Sequence, residues 1–191
     1  MNLLAEISVF VLQTISYLYI MIVLLRFLFQ LVRADFYNPL SQAVVKLTNP
    51  LLLPIRKVVP GVFGIDLACL LLALVLQCLV FIVITLMSGQ GMVPPLLLIF
   101  YSLIRLLAVV VDIYFWGLLI MVIASWVAPQ SYHPALLLLR QLMEPLLMPI
   151  RRLLPPMGGL DFSPLIGGML LFIAKNMLLP ALTLSVVRTF G

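Results

Sequence analysis

The sequence predicts an all-α, polytopic membrane protein with four transmembrane helices, built from two parallel repeats whose cytoplasmic loops form amphipathic helices. Of its 191 residues, 65% are hydrophobic and 9% are charged, whereas a typical soluble domain is about 25% charged. The mean hydropathy is +1.30. Because a soluble protein needs much more polar surface than this, the composition excludes an ordinary soluble domain, a disordered chain and a secreted disulfide scaffold.

Four apolar runs reach or exceed the roughly 20 residues that cross the hydrocarbon core of a bilayer. They cover residues 3–32, 67–88, 96–128 and 163–188. Glu6 is the first charged residue, so no cationic leader precedes the first run, which we expect to remain as a membrane helix. The first and third runs are longer than a perpendicular crossing needs, so we expect them to tilt or protrude.

Positive charge predicts the orientation of these spans. The turn at residues 89–95 is short and uncharged, whereas the connections at residues 33–66 and 129–162 are long and basic. The seven cations of the two long connections are Arg33, Lys46, Arg56, Lys57, Arg140, Arg151 and Arg152. Only Arg188 lies on the other side. Since cytoplasmic loops carry the excess of Lys and Arg, we expect both loops in the cytoplasm and both termini in the periplasm. The net charge of +5 is explained by this orientation, so we expect no nucleic-acid partner.

The chain contains an internal repeat with a period of 95 residues. Residues 39–66 align without a gap on residues 134–161, and 11 of the 28 positions are identical. Two spans separate the copies, so the repeats are parallel and their loops lie on the same side of the membrane. We therefore divide the chain into a first repeat at residues 1–88, a turn at 89–95 and a second repeat at 96–191.

The repeated loop carries specific sequence blocks. NPLLLPIRKVVP, EPLLMPIRRLLPPMGGLDFSP and FYNPLSQ at residues 36–42 resemble the paired signature of the YggT/YlmG family of small bacterial and plastid membrane proteins. The resemblance covers nearly the whole chain and implies a multi-pass protein of the bacterial inner (plasma) membrane. Members of the family have been linked to osmotic-stress tolerance, to cell-envelope and division roles, and in chloroplasts to haem attachment on a b-type cytochrome.

Each loop is predicted to contain a short amphipathic helix. In the first loop the apolar positions are Leu40, Ala43, Val44 and Leu47, and the polar positions are Gln42, Lys46 and Asn49. In the second loop the polar positions are Arg140, Gln141 and Glu144. We expect the prolines at positions 50, 54, 145 and 149 to prevent one continuous helix in either loop.

The basic pairs Arg56–Lys57 and Arg151–Arg152 are the predicted binding residues for lipids and partners. Each cation near the membrane surface attracts anionic headgroups by about 1 kcal/mol. Three interpretations stay open: a passive lipid anchor, a docking surface for a protein partner, and a specific site for an anionic lipid or phosphate. Asp66, Asp161 and Ser163 are predicted to cap the helices that follow the loops, and either aspartate could also pair with Arg56 or Arg151.

Ionisable residues inside the spans predict a polar layer near the centre of the bilayer. Asp112 and Lys175 lie at the midpoints of their spans, so we expect them to face each other. The full predicted layer is Tyr17, Gln77, Arg105, Asp112, Lys175 and Asn176. This layer is either a static packing network or a polar path for transport. Arg26 lies close enough to the cytoplasmic end of its span to extend its charge to the interface.

The sequence predicts no catalytic residue, no metal site and no cofactor. His133 is the single histidine, and Cys69 and Cys78 belong to no ligand motif. No nucleophile lies near a recognisable base, so we expect no enzymatic activity. Ser163 and Gly167 form a small-residue pair that favours close helix contacts, within the bundle or between copies of the chain.

These observations favour a non-enzymatic scaffold or assembly factor that binds anionic lipids and a membrane or cytosolic protein through its basic loops. A homo-oligomer is compatible with the same features. The alternative is a small transporter or channel component with Asp112 and Lys175 at its centre. A third hypothesis, haem attachment, follows from the family resemblance.

Overall fold

The spans are helical and each long loop contains a helix in the computed structural model, which describes residues 3–61, 64–89, 91–127, 132–153 and 161–190. The helices are α1 (Leu3–Leu31), α2 (Pro39–Arg56), α3 (Leu67–Met87), α4 (Pro95–Val127), α5 (Pro134–Leu153), α6 (Ser163–Ile173) and α7 (Leu179–Phe190). A π-helical turn, Ala174–Leu178, joins α6 to α7. Within the described residues four segments are long and apolar enough to cross a membrane, namely α1, α3, α4 and Ser163–Phe190. The predicted multi-pass class and its four spans are confirmed.

Some predicted features lie outside the described residues. They are Ala128 at the end of the third predicted span, Gln90 in the turn, and Pro155 and Gly159 in the second loop.

The four spans pack around a core in the half of the bundle that carries the loop helices. Fully buried side chains in this core include Val23 and Leu24 of α1, Leu118 of α4 and Met143 of α5. Apolar side chains elsewhere along the spans are exposed, as expected where lipid surrounds the helices and supplies an apolar solvent. The helices therefore associate chiefly through close packing and polar contacts between them.

The two loop helices lie at the same end of the bundle. The side-chain amide of Asn38 donates to the Pro134 carbonyl at 2.8 Å, and the Asp35 backbone N–H donates to Gln141 Oε1 at 3.0 Å. These bonds join the start of the first loop helix to the second. The parallel arrangement of the repeats is confirmed.

The expected interruption of the loop helices at proline was wrong. α2 and α5 are each continuous, and each contains two internal prolines. A proline inside a helix removes one backbone hydrogen bond, but the prolines of each pair are four residues apart and exposed, on a side where water or headgroups can bind the freed carbonyls. On the opposite side Leu52 and Leu147 are fully buried, and this packing holds each helix together.

Small residues bring the helices of the second repeat close together. A Cβ at Gly117 would lie 2.7 Å from the Met143 terminal methyl, so a larger residue there would require the flexible end of the Met143 side chain to shift. A Cβ added at Gly167 would lie 3.4 Å from the Leu147 side chain and 3.5 Å from the Ile150 side chain, both of α5. The predicted small-residue contact at Gly167 is therefore a contact within the bundle.

Candidate functional site

Three side chains meet in the middle of the spans. The Tyr17 hydroxyl donates to Asp112 Oδ2 at 3.0 Å, and Lys175 Nζ lies 2.7 Å from Asp112 Oδ1. The side chains of Asp112 and Lys175 are 19% and 33% exposed. Lys175 Nζ also lies 5.3 Å from the centre of the Phe115 ring and 5.6 Å from that of Trp116, within the range of a cation–π interaction. The structure thus brings the two predicted charges together and gives the lysine an aromatic surround.

The lysine of this ion pair lies in the π-helical turn. The backbone N–H of Leu179 bonds to the carbonyl of Ala174, five residues earlier. Pro180 follows and has no N–H to continue the regular pattern. Single π-helical turns inside α-helices occur frequently at functional sites. Here the turn contacts α4, and it carries Lys175 to Asp112.

A groove of about 370 Å³, lined by both polar and apolar side chains, lies between α1, α3 and α4 on the Tyr17 side of this ion pair. Tyr17, Gln77 and Arg105 all line it. Asn176, the last member of the predicted layer, is exposed and donates to the carbonyl of Phe172 at 2.9 Å. Its assignment to the layer was wrong, because consecutive residues of a helix point about 100° apart and its neighbour Lys175 faces inward.

Arg26 is buried near the end of α1 that adjoins the first loop, so the expectation that it reaches the interface was wrong. Its side chain is 7% exposed. The guanidinium donates to the Thr48 hydroxyl, to Asn49 Oδ1 at 2.8 Å and to the Val45 carbonyl at 3.2 Å. All three acceptors belong to α2, so Arg26 fastens the first loop helix to the first span.

A comparison of the two repeats could have revealed this cluster. Ninety-five residues after Arg26 the chain has Met121, and 95 residues after Thr48 it has Met143. A polar pair in one repeat is thus an apolar pair in the other. Such a paired change is the pattern expected of two residues in contact.

One ion pair occurs in both repeats and ties each loop helix to the span that follows. Arg56 pairs with Asp66, and its repeat equivalent Arg151 binds Asp161 Oδ2 through Nε at 2.9 Å. Arg151 also binds Glu144 at 3.0 Å. Burial lowers the pKa of Arg151, but the two neighbouring carboxylates outweigh it and hold that pKa above its ordinary value. Both arginines are therefore held in ion pairs within the chain.

The two aspartates also stabilise the starts of helices. Asp66 accepts from the Cys69 backbone N–H at 3.2 Å and from Cys69 Sγ at 3.1 Å, and it caps α3 as predicted. Burial raises the pKa of Asp66, but the hydrogen bonds from Arg56 and Cys69 outweigh it and leave that pKa below its ordinary value.

At the second repeat the cap is shifted. Asp161 accepts from the Ser163 N–H at 2.9 Å and the Ser163 hydroxyl at 2.6 Å. Phe162 occupies the capping position and Ser163 is the first helical residue, so the prediction of Ser163 as the cap was wrong. Burial raises the pKa of Asp161, but the bonds from Ser163 and Arg151 hold it below its ordinary value.

The four predicted binding cations therefore divide into two kinds. Arg56 and Arg151 hold the fold together, whereas Lys57 and Arg152 are exposed at the ends of the loop helices. Lys57 and Arg152 form no ion pair with the described residues, although Arg152 donates to Met148 Sδ at 3.4 Å, so these two cations are the more available to lipids or partners. The sequence could not separate them, because both kinds stand side by side in each basic pair.

The residues considered as ligands have structural contacts. His133 Nδ1 accepts from the Ala135 N–H at 3.3 Å at the start of α5. Cys78 Sγ lies 3.3 Å from the Ser102 hydroxyl. In the described parts of the chain, no group of three or more His, Cys, Asp or Glu is placed to hold a metal ion.

Comparison with known proteins gives a consistent result. The family model described as CCB3/YggT matches residues 5–87 and again residues 100–182. The two matches are offset by 95 residues, the period of the internal repeat.

Several relatives match over most of their length. An uncharacterized protein of Pseudomonas aeruginosa is 49% identical over 159 residues, which are 83% of this chain and 81% of the relative. The uncharacterized protein YggT of Escherichia coli K12 is 43% identical over 187 residues, 92% of this chain and 97% of the relative. An uncharacterized protein of Haemophilus influenzae is 36% identical over 162 residues, 85% and 86% of the two chains. No solved structure matches the chain.

Proposed function

The chain belongs to the CCB3/YggT family, and we propose that it is a non-enzymatic scaffold or assembly factor of the bacterial inner membrane. The proposed working surface is the basic platform, which we define as helices α2 and α5 with Lys57 and Arg152 at their ends. In this proposal the platform faces the cytoplasm and both termini face the periplasm. The setting, tolerance of osmotic or envelope stress, is suggested by the family resemblance alone.

One observation carries the proposal: two amphipathic helices lie at one end of the bundle, joined by the Asn38–Pro134 and Asp35–Gln141 hydrogen bonds. Exposed apolar side chains on these helices include Leu47, Leu51, Leu137, Met148 and Leu153. A helix of this kind lies in the membrane interface with its apolar side chains in the acyl boundary and its cations at the lipid phosphates.

The repeated ion pairs suit the platform to docking. Arg56–Asp66 and Arg151–Asp161 fix the end of each loop helix to the start of the next span. A surface held in a single orientation loses less conformational entropy on binding than a flexible loop. A partner that binds α2 and α5 would therefore be positioned relative to the whole bundle.

Site-specific photo-crosslinking in native membranes tests the platform. Probes at the exposed positions Val58 and Leu153 lie beside its two exposed cations, and a control probe at Leu4 lies at the N-terminus of α1. We expect both platform probes to capture the same partner protein. Excess untagged copies of this chain should compete the adduct away, and the double variant Lys57→Gln/Arg152→Gln should insert normally but form no adduct. Capture of lipid alone, or of the same protein from Leu4, would contradict the proposal.

A second candidate function is transport, favoured by the contact of Tyr17, Asp112 and Lys175 beside the groove between α1, α3 and α4. A path for protons or other ions would need these groups to exchange partners. Purified protein in proteoliposomes would then conduct more than empty vesicles, and Asp112→Asn would abolish the flux at normal abundance. Flux equal to that of empty vesicles, with the protein inserted and folded, would count against transport.

Haem attachment rests on the family analogy alone. Normal haem attachment to cytochromes in a deletion strain would dismiss it.

A further inference from the structure

The second repeat contains a large apolar cleft that the two cations of the platform, Lys57 and Arg152, do not line. The cleft has a volume of about 980 Å³ and is bounded by α4, α5 and α6, at the upper end of the roughly 300–1,000 Å³ typical of ligand pockets. Its walls include the exposed apolar side chains Trp126, Leu165, Met169 and Phe172. In a bilayer these walls face acyl chains, so the cleft is open to lipid.

The first repeat provides an internal comparison for this cleft. There the equivalent space shrinks to about 360 Å³, and the side chains that line it include Arg26, Phe29 and Gln30. The residues 95 positions later, which line the large cleft, are Met121, Ala124 and Ser125. Loss of a phenyl ring and a glutamine amide at these positions contributes to the larger volume of the second cleft, which α6 also lines. The cleft is therefore a property of one repeat and not of the shared fold.

The mouth of the cleft carries charges of both signs. It is lined by Arg140, Glu144, Arg151 and Asp161. Among the described residues Arg140 has no hydrogen bond or ion pair, and its equivalent in the first repeat is Val45. Glu144 and Asp161 bind Arg151, but their side chains remain 47% and 46% exposed. The mouth therefore offers one available guanidinium and two accessible carboxylates.

We propose that this cleft binds an acyl chain of a zwitterionic phospholipid. The phosphate of the lipid binds Arg140 by a charge-assisted hydrogen bond, and its ammonium group lies against Glu144 and Asp161. The two cations and two carboxylates of the mouth sum to zero charge, which matches a headgroup of zero net charge better than an anionic one. This site goes beyond the proposed scaffold function and does not depend on it.

Native mass spectrometry of the intact, detergent-purified protein tests the site. The protein is incubated with equal amounts of phosphatidylethanolamine and phosphatidylglycerol, and the retained lipid is identified by mass. The variant Ala124→Phe places in the second repeat the residue that the first repeat already has. Ala181→Phe, the same change at an exposed position of α7 away from the cleft, is the matched control.

We expect the wild type and Ala181→Phe to retain one phosphatidylethanolamine per chain in preference to phosphatidylglycerol. Ala124→Phe should retain about tenfold less, which corresponds to about 1.4 kcal/mol of binding free energy. Arg140→Val, which installs the residue that the first repeat has at this position, should also reduce the retention of phosphatidylethanolamine, although it leaves the cleft open. Circular dichroism checks that each variant is folded, and Ser125→Gln replaces Ala124→Phe if that variant is not.

Two results would overturn the proposal. One is equal lipid retention by the wild type and a folded cleft-filling variant, which would show that the lipid binds elsewhere. The other is preferential retention of phosphatidylglycerol, which would show that the mouth selects an anionic headgroup.

Discussion

The Tyr17 hydroxyl donates a hydrogen bond to Asp112 Oδ2 at 3.0 Å, and the two residues occupy equivalent positions in the two repeats. Equivalent positions of the two repeats therefore meet where α1 contacts α4. Lys175 joins the pair from one side, since its equivalent in the first repeat is Val80. The polar centre of the bundle therefore joins equivalent positions of the two repeats but is not symmetric.

Asp112→Asn should destabilise the protein, because it leaves Lys175 without its counter-charge inside the membrane. We expect a loss of about 2–3 kcal/mol, the cost of an uncompensated lysine at a helix centre. Unfolding in mixed detergent micelles measures the loss. The double variant Asp112→Asn/Lys175→Met should recover most of it, and a single variant as stable as the wild type would show that the ion pair contributes nothing.

Tyr17→Phe should have a smaller effect than the change at Asp112. It removes one hydrogen bond between spans and keeps both charges, and such bonds contribute about 0.6 kcal/mol on average. The same unfolding measurement should rank the three proteins as wild type, Tyr17→Phe and Asp112→Asn in decreasing order of stability. A loss at Tyr17 as large as that at Asp112 would mean that the phenol is essential to the charge pair.

Arg26→Met should loosen α2 from α1, because it leaves the Thr48 hydroxyl and Asn49 amide oxygen without their donor. The expected cost is about 1–3 kcal/mol, that of an unsatisfied buried group. Limited proteolysis of the first loop detects the loosening. The double variant Arg26→Met/Thr48→Met installs the residues that the second repeat has at these positions and should restore part of the protection, whereas Lys46→Met changes an exposed cation of α2 and should leave protection unchanged.

Acid should weaken the attachment of the loop helices to the spans. The pKa values of Asp66 and Asp161 lie below the ordinary value of 3.8, so each carboxylate stabilises the folded state fully above that value. This contribution is lost as the pH falls through the folded-state pKa.

Asp66→Asn and Asp161→Asn should thus be less stable than the wild type at pH 7, and the difference should shrink below about pH 4. Thermal unfolding of the three proteins at several pH values checks this. A difference that stays constant down to the lowest pH would assign the stabilisation to the hydrogen-bonding shape of the carboxyl group and not to its charge.

Depth in the bilayer made several features predictable from sequence. A residue at the midpoint of a span lies near the bilayer centre, where a charge needs a partner. Asp112 and Lys175 are the two ionisable residues at such midpoints, and the structure brings them together. The shared end of the loops followed in the same way from the repeat and the distribution of Lys and Arg.

Features that depend on side-by-side packing were not predictable. Arg26 looked close enough to the interface to reach it, but α2 covers it and supplies acceptors. The prolines of α2 and α5 were expected to break helices that packing at Leu52 and Leu147 preserves. The cleft beside Ala124 arises from missing volume, which no pattern of hydrophobicity reports.

The unlike pair at equivalent positions of the two repeats distinguishes this chain from a twofold dimer of half-length subunits. A subunit with one repeat that assembled with a copy of itself would bring identical side chains to the axis. Two aspartates would repel each other there, and two tyrosines would offer no charge to a lysine. Joining both halves in one polypeptide allows the two positions to diverge into a donor and a carboxylate. The bond between Tyr17 and Asp112 is therefore an arrangement that covalent duplication permits and strict twofold self-assembly forbids.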